Sequence, residues 1–283
     1  MGRTNFRFGA LDRFRVIDNS PGGLHMDDQI TYTHGEPTWQ DHSSDDDAKA
    51  TEFYSALFGW ECPEGDPNMG GYRNCTLNGK VVAGISPQMS EGLPPVWAFY
   101  VCVDDADEIV TRVTENGGQS LFEPMQIAEY GKMGFFIDPT GAAFGVWQPA
   151  AHKGAQIRNE PGSVCWYELI TTDVAAASKF YSAVFGWTAQ SHGPSEGPGG
   201  YNEFKLGDRA IAGMMSKPPM MPAEAPPYWG MYFAVEDADA AAAKATELGG
   251  RVLASPMDIA PGRFATVQDS TGAVFNILKS SRG

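Results

Sequence analysis

Residues 53–61 read FYSALFGWE and residues 180–188 read FYSAVFGWT, nearly the same nine residues written twice, 127 positions apart. Extended backwards, Trp39 to Trp60 and Trp166 to Trp187 align without a gap, and 11 of 22 residues are identical. The match continues downstream. GYRNCTLNGKVVAGI from Gly71 answers GYNEFKLGDRAIAGM from Gly200, and PPVWAFYVCVDDAD from Pro94 answers PPYWGMYFAVEDAD from Pro226. DPTGAAFGVW from Asp138 answers DSTGAVFNIL from Asp269. The gaps between blocks fall in Gly/Pro-rich segments that tolerate insertion. A unit of roughly 115 residues is too long for a solenoid repeat and suits a small domain, so the chain is a tandem duplication.

Both units share one pattern of elements. A short strand (Thr38 to Ser43; Val164 to Ile170) leads into a helix. Thr172 and Asp173 offer N-cap chemistry before the Ala-rich VAAASKFYSAVF, and Gly186 ends that helix. Phe180, Val184 and Phe185 form an apolar helix face. Trp187 opens the next strand, and a hairpin follows with LNGK or LGDR as its turn. After a Pro-rich segment come a strand, a helix that begins with acids and ends in Gly-Gly, and two strands joined by DPTG or DSTG. Each unit therefore runs β-α-β-β-β twice. The expected organisation is an N-terminal arm over 1–35, a first module over 36–149, an exposed linker over 150–161 and a second module over 162–283. The arm has no counterpart before the second unit; it reads as a flexible arm, a partner-binding segment, or non-native sequence ahead of a start at Met26, and it is left out of the fold.

The 283 residues suffice for two domains with real cores. The net charge of −15 speaks against a nucleic-acid surface, which needs a basic patch. No apolar run reaches membrane-spanning length and no signal peptide opens the chain, which implies a cytoplasmic protein. Cys62, Cys75, Cys102 and Cys165 contain no C-x-x-C pair and read as reduced thiols.

The first strand, the D…A…FY…LFGW helix, VDDAD…GG…P and DPTG together resemble the vicinal oxygen chelate superfamily of glyoxalases, extradiol dioxygenases and bleomycin-resistance proteins. The nearest likeness is to two-module actinobacterial proteins of glyoxalase-like or hydroxylase-labelled type. The resemblance runs from Trp39 to Leu278. It implies an α+β fold of tandem paired βαβββ modules, each a cup-shaped mixed sheet with its helices outside. Metal-dependent members take ligands from positions that here hold Trp39 and Trp166, Ala98 and Gly230, and Gly145 and Asn276. Iron, zinc and nickel need converging imidazole, thiolate or carboxylate groups, and these residues do not supply them. The expectation is no metal and no cofactor.

Strand alternation then selects the lining of the cups. Trp39, Asp41, Tyr100 and Trp147 share the face of the first cup, and Trp166, Glu168 and Tyr232 that of the second, where the resemblance adds Asn276 from its third ligand position. Aromatic faces with a carboxylate suit a flat, partly cationic organic molecule. Trp and Tyr on a sheet face equally serve as plain core. His42 aligns with Leu169 and reads as a buried core histidine or, on a distorted strand, as a base. The methionines of Met214 to Pro227 read as an adaptable lid or as a loop covering the barrel end.

Two functions stay open. One is a metal-independent binding protein that sequesters an aromatic metabolite, for which the antibiotic-binding branch of the family implies an anthracycline or other polyketide, in self-resistance or in support of biosynthesis. The other is a metal-independent lyase, isomerase or cyclase using Asp41, Glu168 or His42 as acid–base groups. Vestigial cups in a structural partner are the third case. Partners are a small aromatic ligand and either a second copy or a biosynthetic enzyme.

Overall fold

The computed structural model describes residues 30–90, 92–192, 200–219 and 221–281, so the arm before residue 30, with the alternatives read for it, lies outside the described residues. The first module contains β1 (Pro37–Ser44), α1 (Asp47–Phe58), β2 (Arg73–Leu77), β3 (Lys80–Pro87), β4 (Val96–Cys102), α2 (Ala106–Glu115), β5 (Gln119–Ile127), β6 (Gly131–Ile137) and β7 (Ala143–Pro149). They form a seven-stranded mixed sheet in the order β2-β3-β1-β4-β7-β6-β5. The second contains β8 (Val164–Thr171), α3 (Val174–Phe185), β9 (Thr188–His192), β10 (Tyr201–Leu206), β11 (Arg209–Ser216), β12 (Tyr228–Ala234), α4 (Ala238–Glu247), β13 (Arg251–Ile259), β14 (Gly262–Gln268) and β15 (Val274–Ser280). Its eight strands run β13-β14-β15-β12-β8-β11-β10-β9. Among the described residues, no helix is long and apolar enough to cross a membrane.

The duplicated helices begin and end as their sequences dictate. Asp46 accepts from the Lys49 amide and Asp173 from the Ala176 amide, and Gly59 and Gly186 close the helices at φ 75° and 73°. Only the second module keeps the strand after the first helix. In the first, the Pro63, Gly65 and Pro67 of residues 61–72 interrupt the ladder, leaving isolated bridges at Glu61–Thr76 and Asp66–Tyr72. The reading of four reduced cysteines is corrected at the same place. Cys62 and Cys75 form a disulfide with their Cα atoms 4.2 Å apart, while Cys102 and Cys165 are free. Their counterparts Ala189 and Phe204 are paired across β9 and β10, so the bond sits where the second module has a strand pair.

The helices lie outside the cups, each with one face buried and the other exposed. One buried cluster joins Phe53, Tyr54 and Phe99 of the first module to Tyr181, Trp229 and Phe275 of the second. The repeated FY…W motif makes this junction reciprocal. Tyr54 donates to Asp269 Oδ2 at 2.8 Å and Tyr181 to Asp138 Oδ2 at 2.9 Å, each across to the other module's DPTG or DSTG turn. Trp97 and Trp229 donate at 2.8 Å to those same tyrosine hydroxyls. Trp60 donates to the Gly162 carbonyl and Trp187 to the Gly35 carbonyl, both at 2.7 Å. Oδ1 of each aspartate accepts the amides of its own turn, among them Gly141 and Gly272.

The linker is also corrected, from exposed to packed. Ala155 donates its amide to Thr38 and Gln156 to Val81, and both Ala155 and Ile157 are buried. In the Met/Pro stretch, Met214 lies inside β11 and is fully buried.

Tyr181→Phe strands a buried carboxylate oxygen and an indole N–H, while Tyr54→Phe strands an indole N–H and leaves Asp269 Oδ2 to His42 alone. Each is expected to cost about 1–3 kcal/mol in urea denaturation. Losses below about 0.5 kcal/mol in both variants would contradict the cross-module bracing.

Candidate functional site

On the sheet face turned away from the helices, β-ladder register assembles two matched sites. In the first module Phe135, Gly145, Tyr100 and Trp39 stand in one row across β6, β7, β4 and β1. A second row carries Ala98, Asp41, Gly84 and Asn74. In the second module the first row is Thr266, Asn276, Tyr232 and Trp166, and the second is Gly230, Glu168, Gly213 and Glu203.

Each site holds a relay of four side chains. Trp39 Nε1 donates at 2.8 Å to the Tyr72 hydroxyl, which donates to Asp41 Oδ2 at 3.2 Å. Tyr100 donates to the same oxygen at 3.1 Å. In the second site Trp166 Nε1 donates at 2.9 Å to Tyr201, whose hydroxyl bonds Glu168, and Tyr232 donates to Glu168 Oε1 at 2.8 Å. Gly84 and Gly213 make room for these relays, because a Cβ at either would collide with the hydroxyl of Tyr72 or Tyr201. Gly145 does the same for the Tyr100 ring.

Burial decides the electrostatics. It pushes the Asp41 carboxyl up to about 7, against the lowering effect of the Tyr100 and Tyr72 hydroxyls. It raises Glu168 too, again opposed by Tyr232 and Tyr201. Both carboxyls are thus shifted toward holding a proton, with hydroxyl donors fixed around them.

Of the residues singled out from the sequence, Trp39, Asp41, Tyr100 and Trp147 come together on the first face, and Trp166, Glu168, Tyr232 and Asn276 on the second. Asn276 accepts from Thr266 at 2.8 Å. Trp147 donates to the His152 carbonyl at 2.9 Å, and the His152 ring meets Trp39 edge-on at 4.4 Å, so the linker forms part of the first site's wall. His42 is elsewhere. It is fully buried on the helix side, with Nε2 2.9 Å from Asp269 of the second module. Burial raises Asp269, but the bond and charge of His42 and the Tyr54 hydroxyl hold it at about 2. The candidacy of His42 as a base in the cup is therefore corrected: the ladder keeps its register from Trp39 to Ser43, past the shift at Pro37–Trp39, and alternation turns the ring into the core.

Tyr72 and Tyr201 were missed. Their signal was the repeated Gly-Tyr at 71–72 and 200–201, together with the repeated Ala-Gly at 83–84 and 212–213 that leaves them space.

A divalent metal does not fit these sites. The positions that bind metal in related folds carry Trp39, Ala98 and Gly145, and Trp166, Gly230 and Asn276. Among the described residues, no group of three or more His, Cys, Asp or Glu could hold an ion.

Comparison with known proteins bears on the same face. The model of the Glyoxalase/Bleomycin resistance protein/Dioxygenase superfamily matches residues 43–146 and 163–277. The chain is 44% identical over 260 residues to "Putative glyoxylase CFP32" of Mycobacterium tuberculosis, covering 90% of this chain and 98% of that protein. It is 35% identical over 269 residues to the anthracycline biosynthesis protein DnrV of Streptomyces peucetius, covering 89% and 96%. Among solved structures, the Mn(II)-bound glyoxalase from Novosphingobium aromaticivorans aligns at TM-score 0.60 and 15% identity over 88% of this chain and 83% of its own. The 2,3-dioxygenase LapB from Pseudomonas sp. KL28 aligns at 0.61 and 13% over 89% and 94%. At such identities the structural likeness speaks for the fold alone.

Asp41 supplies a pH test. With its folded pKa raised to about 7, its contribution to stability is fully present below the unfolded value of about 4 and is lost as the pH rises through about 7. Asp41→Asn is expected to flatten that slope, gaining about 1 kcal/mol or more at pH 8 relative to pH 4 in urea denaturation. An unchanged slope would show that Asp41 ionises freely in the folded protein.

Proposed function

The chain belongs to the Glyoxalase/Bleomycin resistance protein/Dioxygenase superfamily, and we propose that within it this protein is a metal-independent binder of a planar aromatic metabolite, an anthracycline or related polyketide. The observation that carries this reading is the Trp–Tyr–carboxyl–Tyr relay built twice, on matching faces of two sheets, with its hydroxyls already fixed by hydrogen bonds. Preorganised aromatic walls lose little side-chain freedom when a flat ligand stacks on them, and the carboxyl can accept from a ligand hydroxyl or amine. The anthracycline class is supported by the 35% identity to DnrV and by 34% identity over 265 residues to DauV of Streptomyces sp. strain C5, also named as an anthracycline biosynthesis protein. Binding of this kind serves sequestration, self-resistance or the supply of an intermediate to a biosynthetic enzyme.

A second reading has its own observation. A carboxyl pushed up to about 7 by burial exchanges a proton readily near neutrality, which is what a general acid–base needs. Asp41 would then serve a metal-independent isomerase, lyase or cyclase, with Tyr72 and Tyr100 holding its charge.

Tryptophan-fluorescence titration of metal-stripped protein with daunorubicin, followed by chromatography of the ligand, tests both. Saturable quenching with the ligand recovered unchanged, weakened at least tenfold by Tyr72→Phe or Tyr201→Phe, is the expected result. Consumption of the ligand, abolished by Asp41→Asn with affinity retained, would replace binding by catalysis. Absence of quenching with daunorubicin would reject the proposed ligand class.

A further inference from the structure

The two sites share their relay and differ around it mostly in one direction, the exception being Met133 of the first site, matched by Phe264 beside Tyr232 in the second. At register-matched positions the first site has Phe135, Gly145 and Asn74 where the second has Thr266, Asn276 and Glu203. Trp147 is matched by Leu278 in the duplicated sequence. The first site is walled by aromatic rings and by His152 of the linker. The second is polar.

Glu203 is the residue that separates them. It lies in one row with Gly213 and Glu168, on the same face as Tyr201 two residues before it. It is 3% exposed, yet its ion-pair partner among the described residues is His192, 3.0 Å away on the edge strand β9. The imidazole approaches one carboxyl oxygen, Oε2, and no lysine or arginine among the described residues pairs with the group. Gly213 separates the two acids by a position without a side chain. Above it sit the Tyr201 hydroxyl and Trp166 Nε1. With Glu168 bonded to Tyr232 and Glu203 close to Tyr201, the row makes a wall suited to an ammonium group carried on an aromatic frame, through charge-assisted hydrogen bonds and cation–π contact.

We propose that the two sites differ in selectivity, the second being the cation-selective one, with Glu203 as the residue that recognises a ligand's protonated amine. The inference rests on the aromatic-binding function proposed above and adds to it the charge of the ligand and the site that reads it. The first site, with one acid and more aromatic wall, takes the neutral ring system equally well with or without an amine. An amine and its amide then differ in affinity only at the second site.

Titration of the whole chain with daunorubicin and with N-acetyldaunorubicin tests this. The ligands share ring and sugar and differ in the charge of one amine. The second site of the wild-type protein is expected to bind daunorubicin at least tenfold more tightly than the N-acetyl compound. Glu203→Gln should weaken daunorubicin at least tenfold more than it weakens the N-acetyl compound, and Glu203→Asp should restore part of the difference. Equal loss of both ligands in Glu203→Gln would assign Glu203 a structural role and overturn the proposal. Equal wild-type affinity for the two ligands would overturn it while leaving the aromatic-binding function standing. Failure of the wild type to bind either compound would remove both together.

Discussion

The reciprocal bond from the helix tyrosine of one module to the turn aspartate of the other fixes everything else in this molecule. Tyr54 reaches Asp269 and Tyr181 reaches Asp138, each with a tryptophan donating to its hydroxyl. A buried carboxylate is costly unless its oxygens are satisfied. Each aspartate meets that condition with its own turn's amides on Oδ1 and the neighbour's tyrosine on Oδ2. The partner module therefore completes the hydrogen bonding of every DPTG or DSTG turn. The helix sides of both sheets are committed to this junction, and the opposite faces carry the two Trp–Tyr–carboxyl–Tyr relays.

That division gives the motif FYSALFGW its role. Its Phe and Tyr enter the common core, its Gly closes the helix, and its Trp bonds a carbonyl of the other module. The chemistry lies on the other face, one residue out of phase along β1 and β8. Trp39 and Asp41 face the site, while Gln40 and His42 face the core, where Gln40 accepts from Tyr167 of the second module at 2.6 Å. Alternation along a single strand thus separates the group that ties the modules together from the group on the candidate site's face.

Much of the fold was legible in the sequence because it is written twice. Turn glycines, N-cap aspartates and apolar periodicity agreed between copies, and parity along the strands gathered Trp39 with Asp41 and Trp166 with Glu168. What stayed hidden depends on pairing between distant segments. Tyr72 and Tyr201 enter the sites across two strands, from a register that no local pattern specifies. The Cys62–Cys75 bond replaces a strand pairing that only the second module makes. His42 has its partner 227 residues away, in the other module. The linker's composition looked exposed, but its backbone amides pair with the edge of the first site.

The seven tryptophans divide between the two faces, which makes them direct reporters of this account. Trp60, Trp97, Trp187 and Trp229 belong to the inter-module core, and Trp39, Trp147 and Trp166 line the outer faces. The most direct measurement is a nitrogen–proton correlation spectrum of the assigned indole N–H groups during titration with daunorubicin. The account expects Trp39 or Trp166 to shift saturably while the four core indoles stay in place. Shifts confined to the core indoles, or spread evenly over all seven, would contradict it.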